Sequence, residues 1–248
     1  MITRVEFQGQ NYKVDLSKPI DISIPLRGSS QNPGAWYLPP PEISPVVMDN
    51  FIGSVKEGAS TNFNTIVFNP HAHGTHTECI GHITKDFHSI GDTLKQFHFI
   101  SDLITIEPIS YQDDLVITRD QLSKSLSGKR PVAVILRTFP NDKGKLNRQY
   151  SHTNPAYLLE EAALFLRQIG VKHLLIDLPS VDKEKDDGAL LAHKAFWDLQ
   201  GAQRLDATIT EFIFVPNHIP DNTYLLNLQI ASFVNDASPS KPVLYKLL

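Results

Sequence analysis

Four of the ten histidines of this chain fall in the twelve residues from His71 to His82, inside the stretch Asn69–Ile83, NPHAHGTHTECIGHI. Glu78, Cys79 and two glycines join them there. Imidazole and carboxylate are the ligand types for zinc, manganese and iron. A fold that serves this stretch must bring several such groups to one point. In extended chain, residues i and i+2 point to the same side, so His76 and Glu78 share a face. His71 has the wrong parity to join them unless the chain bulges. Gly74 stands between, and glycine takes the positive φ that a bulge or tight turn needs. His82 follows Glu78 by four residues, which places it near a metal without making it a ligand. The plain alternative is a polar loop of solvated histidines. Thr65 to Phe68 is β-branched and aromatic, so the stretch begins where a strand ends, a usual place for functional residues.

The 248 residues suit one α/β or barrel-like unit, a single domain over 1–248, and suffice to bury a sizeable core. The formal net charge of −4, without a basic run, argues against nucleic acid as a partner. One cysteine excludes an internal disulfide framework and fits a reducing compartment. The first residues lack the apolar core of a secretion signal, and no run reaches the ~20 apolar residues of a membrane span. These features point to a soluble cytoplasmic protein, with no nucleic acid or membrane partner.

Along the chain, Val5–Phe7 and Tyr12–Val14 read as strands about a Gln8–Asn11 turn, and Ile20–Leu26 as a third strand. Arg27 to Pro45 is a long loop with five prolines, and loops of this length are commonly functional. Its Trp36 and Tyr37 form a candidate aromatic wall over a planar substrate, or cover for the core. His88 and His98 stand outside any ligand-like spacing. Leu103–Ile106 and Val132–Leu136 are strands, and Thr118 to Gln121 has the spacing of a capping box for a helix to about Leu126. Lys143–Arg148 reads as a solvated basic turn. Asn154 and Pro155 open a helix closed by Gly170, and Val171–Leu178 follows as a strand, so the unit is a right-handed crossover. Asp177, Ser180 and Asp182 line the next loop, either capping it or serving the site. Ala189–Gln200 is a helix with His193 in its middle. Thr208–Val215, Tyr224–Ile230 and Val243–Leu247 are strands, and Glu211 lies inside the first, where a carboxylate is costly to bury unless paired or metal-bound.

The His71–His82 stretch resembles the signature of the cyclase family, which includes kynurenine formamidase and isatin hydrolase and carries H-x-G-T-H-x-D-x-P-x-H. Gly74, Thr75 and His76 match its G-T-H, Glu78 replaces the aspartate, and Gly81-His82 ends it at the right distance. The first family histidine falls on Ala72, so an inserted residue before Gly74 makes His71, rather than His73, its equivalent. Leu175–Asp182 is similar to the family's G-I-D-T-P-S-V-D, Ile135–Thr138 to its L-I-R-T strand, and Asp21–Leu26 to its opening D-L-S-x-P-L. The resemblance implies metal ligands His71, His76 and Glu78, with His193 on a helix and Glu211 on a strand as distant ligands, and His82 as the proton-transfer residue. It implies one or two divalent ions, zinc or manganese, while Trp36 and Ser180 are candidate substrate contacts by their places in the loops alone. It further implies an α/β fold of the swivelling β/β/α type with a mixed sheet, and a homo-oligomer, dimer or tetramer.

Such a ligand set with an open position suits hydrolysis, in which metal-bound water is the nucleophile and His82 the acid and base. A serine mechanism lacks a G-x-S-x-G elbow. Cys79 among histidines is a minor candidate nucleophile. The expected activity is metal-dependent hydrolysis of a small amide, formamide or lactam-like substrate, with arylformamidase as the single best choice. The competing expectation is a non-catalytic metal- or ligand-binding protein on the same scaffold.

Overall fold

A computed structural model describes residues 1–248. The chain opens with the hairpin β1 (Ile2–Phe7) and β2 (Gln10–Asp15), then the short β3 (Ile20–Asp21). After a long irregular segment come an arm of β4 (Glu42–Pro45), β5 (Val47–Met48), β6 (Phe51–Ile52) and β7 (Asn64–Val67), and then β8 (His76–Glu78). Next are α1 (Ile90–Thr93), β9 (His98–Ile106), β10 (Ile109–Tyr111), β11 (Asp114–Ile117), α2 (Arg119–Leu126) and β12 (Ala133–Thr138). The remainder is β13 (Tyr157–Leu158), α3 (Glu160–Gln168), β14 (His173–Ile176), α4 (Leu191–Trp197), β15 (Thr208–Glu211), β16 (Asn222–Ile230) and β17 (Ala237–Lys246).

Seven strands close into a barrel in the order β16-β9-β12-β14-β15-β8-β17, with β17 returning to β16 and β3 added outside β17. Strands β9, β12, β14 and β15 are parallel, and the other pairings are antiparallel, so the sheet is mixed as expected. Strands β12 and β14 are buried at every residue because both faces are covered. Ile135 and Leu175 point into the barrel core with Leu103, Leu226 and Leu244. Val134, Leu136, Leu174 and Ile176 face outward against Leu122, Leu166, Phe196 and Trp197 of the helices.

Several expected boundaries are corrected. Only Ile20–Asp21 pairs in a sheet, because Asp21 Oδ1 accepts from Ser23 and Ile24 N–H donates to the Thr75 hydroxyl instead of a strand. The helix expected from Asn154 begins at Glu160. Tyr157 and Leu158 pair with Val116 and Ile117, while Asn154 is tied to Asp114 and Glu184. The Lys143–Arg148 turn is not fully solvated: Lys145 is buried, donating to Thr138 O and to Asp177 Oδ2, both at 2.8 Å. The strand expected over Thr208–Val215 stops at Glu211, where Phe212 turns to φ 54°.

Candidate metal centre

Strand β8 carries the first pair. Gly74, at φ 147°, supplies the kink that sequence parity required, and the extended residues after it aim His76 and Glu78 the same way. His76 Nε2 lies 3.9 Å from Glu78 Oε2. Across the antiparallel pairing, Glu211 stands opposite His76, and its Oε2 is 3.4 Å from the same nitrogen. The bend at Gly74 also returns His71, whose Nδ1 is 3.0 Å from Glu78 Oε2. His193 comes from the first turn of α4, with Nε2 3.0 Å from Glu78 Oε1.

The loop from Asp177 to Asp182, after β14, fixes two of these groups. Asp182 accepts the N–H groups of Ala192 and His193, which anchors the start of α4, and also holds His193 Nδ1 at 2.5 Å. That contact turns Nε2 toward Glu78. Val181 N–H donates to Glu211 Oε1 at 3.0 Å. The expected helix over Ala189–Gln200 is therefore shorter, and His193 sits at its beginning rather than its middle.

This donor set fits a metal cation. His76 Nδ1 lies 3.0 Å from the Gly74 carbonyl, which can only accept, so Nδ1 carries the proton and Nε2 keeps a lone pair. His76 Nε2 is buried and lacks a hydrogen-bond partner, and it faces two carboxylate oxygens, Glu211 Oε2 and Glu78 Oε2. A buried lone pair set against carboxylate oxygens is costly unless a cation lies between them. Atoms ~2.1 Å from a tetrahedral ion stand about 3.4 Å apart, close to the separations seen here. The field is consistent with this. Burial works against a charge on His71, yet Asp236 and Glu78 push its pKa up to about 10. His193 is likewise raised well above the usual value, against burial, by Asp182 and Glu78. Burial works against the Glu78 carboxylate too, but His82, His193 and His71 hold its pKa well below the ordinary value. The cluster demands positive charge, and only imidazoles pair with its carboxylates. Glu78 reaches His71 with one oxygen and His193 with the other.

His71, His76, Glu78, His193 and Glu211 are thus brought together. His73 is not: its Nδ1 accepts from Asn69 N–H, turned away from the cluster. His82 closes a short 3-10 turn, stacks on His71 at 4.2 Å, stays 31% exposed and keeps 3.9 Å from Glu78. Trp36 donates its indole N–H to the His71 carbonyl, and Ser180 Oγ accepts from Asp182 N–H. Cys79 is corrected as a nucleophile, because burial raises its thiol pKa and its Sγ donates to His88 O. Asp236 escaped sequence reasoning. Its Oδ2 lies 3.0 Å from His71 Nε2 and 3.4 Å from His82 Nδ1. It arrives just before β17 with no motif around it. In sequence it lies outside any expected element, between the strands expected over Tyr224–Ile230 and Val243–Leu247.

The Cyclase family model matches residues 14–183, which include the histidine stretch and the Asp182 loop. No curated protein matches the chain. Among solved structures, an isatin hydrolase bound to the product analogue thioisatinate is 15% identical with a TM-score of 0.70, covering 93% of each chain. A predicted metal-dependent hydrolase from Bacillus stearothermophilus is 17% identical with a TM-score of 0.65, covering 92% of this chain and 98% of its own. Isatin hydrolase A from Ralstonia solanacearum is 16% identical with a TM-score of 0.65, covering 92% and 91%. The barrel and its surrounding helices are the fold these proteins share, and with well over half of its length matched, the chain belongs to the cyclase family.

Proposed function

We propose that this protein is a divalent-metal-dependent hydrolase of a small amide, formamide or lactam-like substrate, with arylformamidase-like specificity as the first choice. The observation that carries it is the buried, unpartnered His76 Nε2 facing Glu211 Oε2 and Glu78 Oε2, with the half-exposed His82 beside it. In this reading His71, His76, Glu78, His193 and Glu211 hold zinc or manganese, as one or two ions, and Asp236 steadies His71. A bound cation supplies Lewis acidity toward a carbonyl and lowers the pKa of a coordinated water from 15.7 towards about 7.

The rest falls to the chain's own residues. His82 Nδ1 faces Asp236, which leaves Nε2 free to take a proton from the attacking water and return it to the departing nitrogen. Asp182 fixes the tautomer of His193. Trp36, tied to the His71 carbonyl, offers an aromatic wall, and Ser180 stands in the loop beneath. The likeness to isatin hydrolase supports a cyclic or aryl amide. An oligomer belongs to the same reading, since the β4–β7 arm exposes Val47, Met48, Phe63, Ile66 and Val67, apolar surface of the kind that meets another protein. The test is hydrolysis of N-formylkynurenine, isatin and a panel of cyclic amides by protein loaded with zinc or manganese. Turnover that vanishes on chelation and returns with metal supports the proposal. Stoichiometric metal without turnover on any member favours a binding protein.

A further inference from the structure

A cavity of about 740 Å³ opens at the end of the barrel away from the carboxylate–histidine cluster. That volume falls in the range of small-molecule sites. It lies where β12 and β14 begin, whereas the cluster lies where β14 and β15 end. His73 and the metal-site histidines do not line it.

Its floor is His173, only 4% exposed. The imidazole packs on Phe99 with centroids 4.0 Å apart, and Nδ1 lies 2.9 Å from the Thr208 hydroxyl. No protein group bonds Nε2. A hydroxyl can donate or accept, so Thr208 permits either tautomer of His173. Nε2 can therefore meet a ligand as donor or as acceptor. Phe7, Val132 and the half-exposed Leu205 add apolar wall. The basic groups of the wall are already engaged: Lys172 pairs with Asp206, Lys95 pairs with Asp92 at 2.9 Å, and His98 Nε2 accepts from the Asn227 side-chain amide at 2.9 Å. Glu6 also lines the cavity, so no free cation is offered to an anion. Burial lowers the pKa of His173 to about 4, which keeps the ring neutral near pH 7.

We propose that this cavity binds an uncharged aromatic small molecule that carries one hydroxyl, N–H or carbonyl group, with His173 Nε2 as its polar contact and Phe99 and Phe7 as its apolar contacts. The site is separate from the metal cluster and does not depend on the hydrolase reading. The same strands, β14 and β15, join the two.

The test uses the metal-loaded full chain, labelled with ¹⁵N at histidine, and two probes of one ring system: 1-naphthol, neutral with a hydroxyl, and 1-naphthoate, an anion. The expected result is saturable movement of the His173 ring signals by 1-naphthol, at least tenfold tighter than by 1-naphthoate. His173→Phe should weaken 1-naphthol binding at least fivefold with metal content unchanged. Leu205→Trp, at an exposed rim position that leaves the core alone, should do the same and decides the matter if the His173 variant does not fold. Three results would overturn the site: no saturable shift at His173, equal affinity for the two probes, or 1-naphthol signals that move only His71 and His82.

Discussion

A buried histidine lies toward each end of the barrel, His173 on β14 and His193 on α4, and the two are driven in opposite directions. His193 and His173 are 2% and 4% exposed, so burial alone would depress both. His173 has a hydroxyl and a phenyl ring for neighbours and falls to about 4. His193 sits between Asp182 and Glu78 and is raised well above the usual value. The neighbours, not the depth, decide the charge. The Lys145–Asp177 pair is a third case: two buried opposite charges answer each other at 2.8 Å and leave no demand for an ion. Of the three, only the cluster holding His193 sets a buried, unpartnered imidazole nitrogen against carboxylate oxygens.

The largest expected effect follows from that contrast. His76→Ala combined with Glu78→Ala should reduce bound metal to background and abolish hydrolysis, while His173→Phe keeps both. Elemental mass spectrometry of protein purified without a histidine tag measures it, and full occupancy in the double variant would remove the site. Within the stretch, His71→Ala should lose metal and His73→Ala retain it, since only His71 reaches Glu78. The reverse outcome would mean that the chain is threaded through Gly74 differently.

His82 sharpens the comparison inside the cluster. It stacks on His71 yet stays 3.9 Å from the carboxylate, so His82→Ala should keep its metal and lose about 10²–10⁴-fold in kcat. A metal-free His82 variant would make it a ligand. A smaller effect is expected at Asp182, which touches no open face of the cluster. Asp182→Asn keeps the shape but weakens the hold on His193, and outer partners of this kind are worth about 10–100-fold in metal affinity. Competition with a calibrated chelator reads that number, and unchanged affinity would leave Asp182 as an anchor for α4 alone.

What the sequence revealed follows the range of the forces involved. The shared face of His76 and Glu78, the kink at Gly74 and the Thr118 capping box depend on residues a few places apart, and all were legible. His193 was named only through resemblance, and Glu211 stood out as a carboxylate in an apolar run but became a ligand only through resemblance, since a lone polar residue there has several explanations. Asp236 is 165 residues from His71, and nothing local marks it. Lys145 looked solvated among Lys143 and Arg148 because its partner Asp177 is 32 residues further on. Closure of the barrel was equally hidden, because β8 meets β15 and β17 only after most of the chain is made.

The smallest effect separates the two ends of the barrel by pH. In protein stripped of metal, His71 has a folded pKa near 10 against about 6.5 unfolded. A raised pKa means that the folded state holds the proton more tightly, so this stabilisation is complete below about pH 6.5 and is lost as pH rises toward 10. His193 adds to the same limb, because its pKa is also raised. His173 does the opposite. Its folded pKa near 4 lies below the unfolded value, so its contribution is present above about pH 6.5 and is lost as pH falls toward 4. Metal-free protein should be most stable near pH 6.5 and decline on both sides, by at most about tenfold in the folding constant per pH unit for each histidine. Zinc or manganese should remove the alkaline decline, since the cation replaces the protons on His71 and His193, and should steepen the acid one, where protons displace it. His173→Phe should flatten the acid decline between pH 6.5 and 4.5 and leave the alkaline one. Urea midpoints at pH 4.5, 6.5 and 9, with and without metal, measure all four limbs. An alkaline decline that persists in metal-loaded protein would show that His71 and His193 do not give up their protons to the ion.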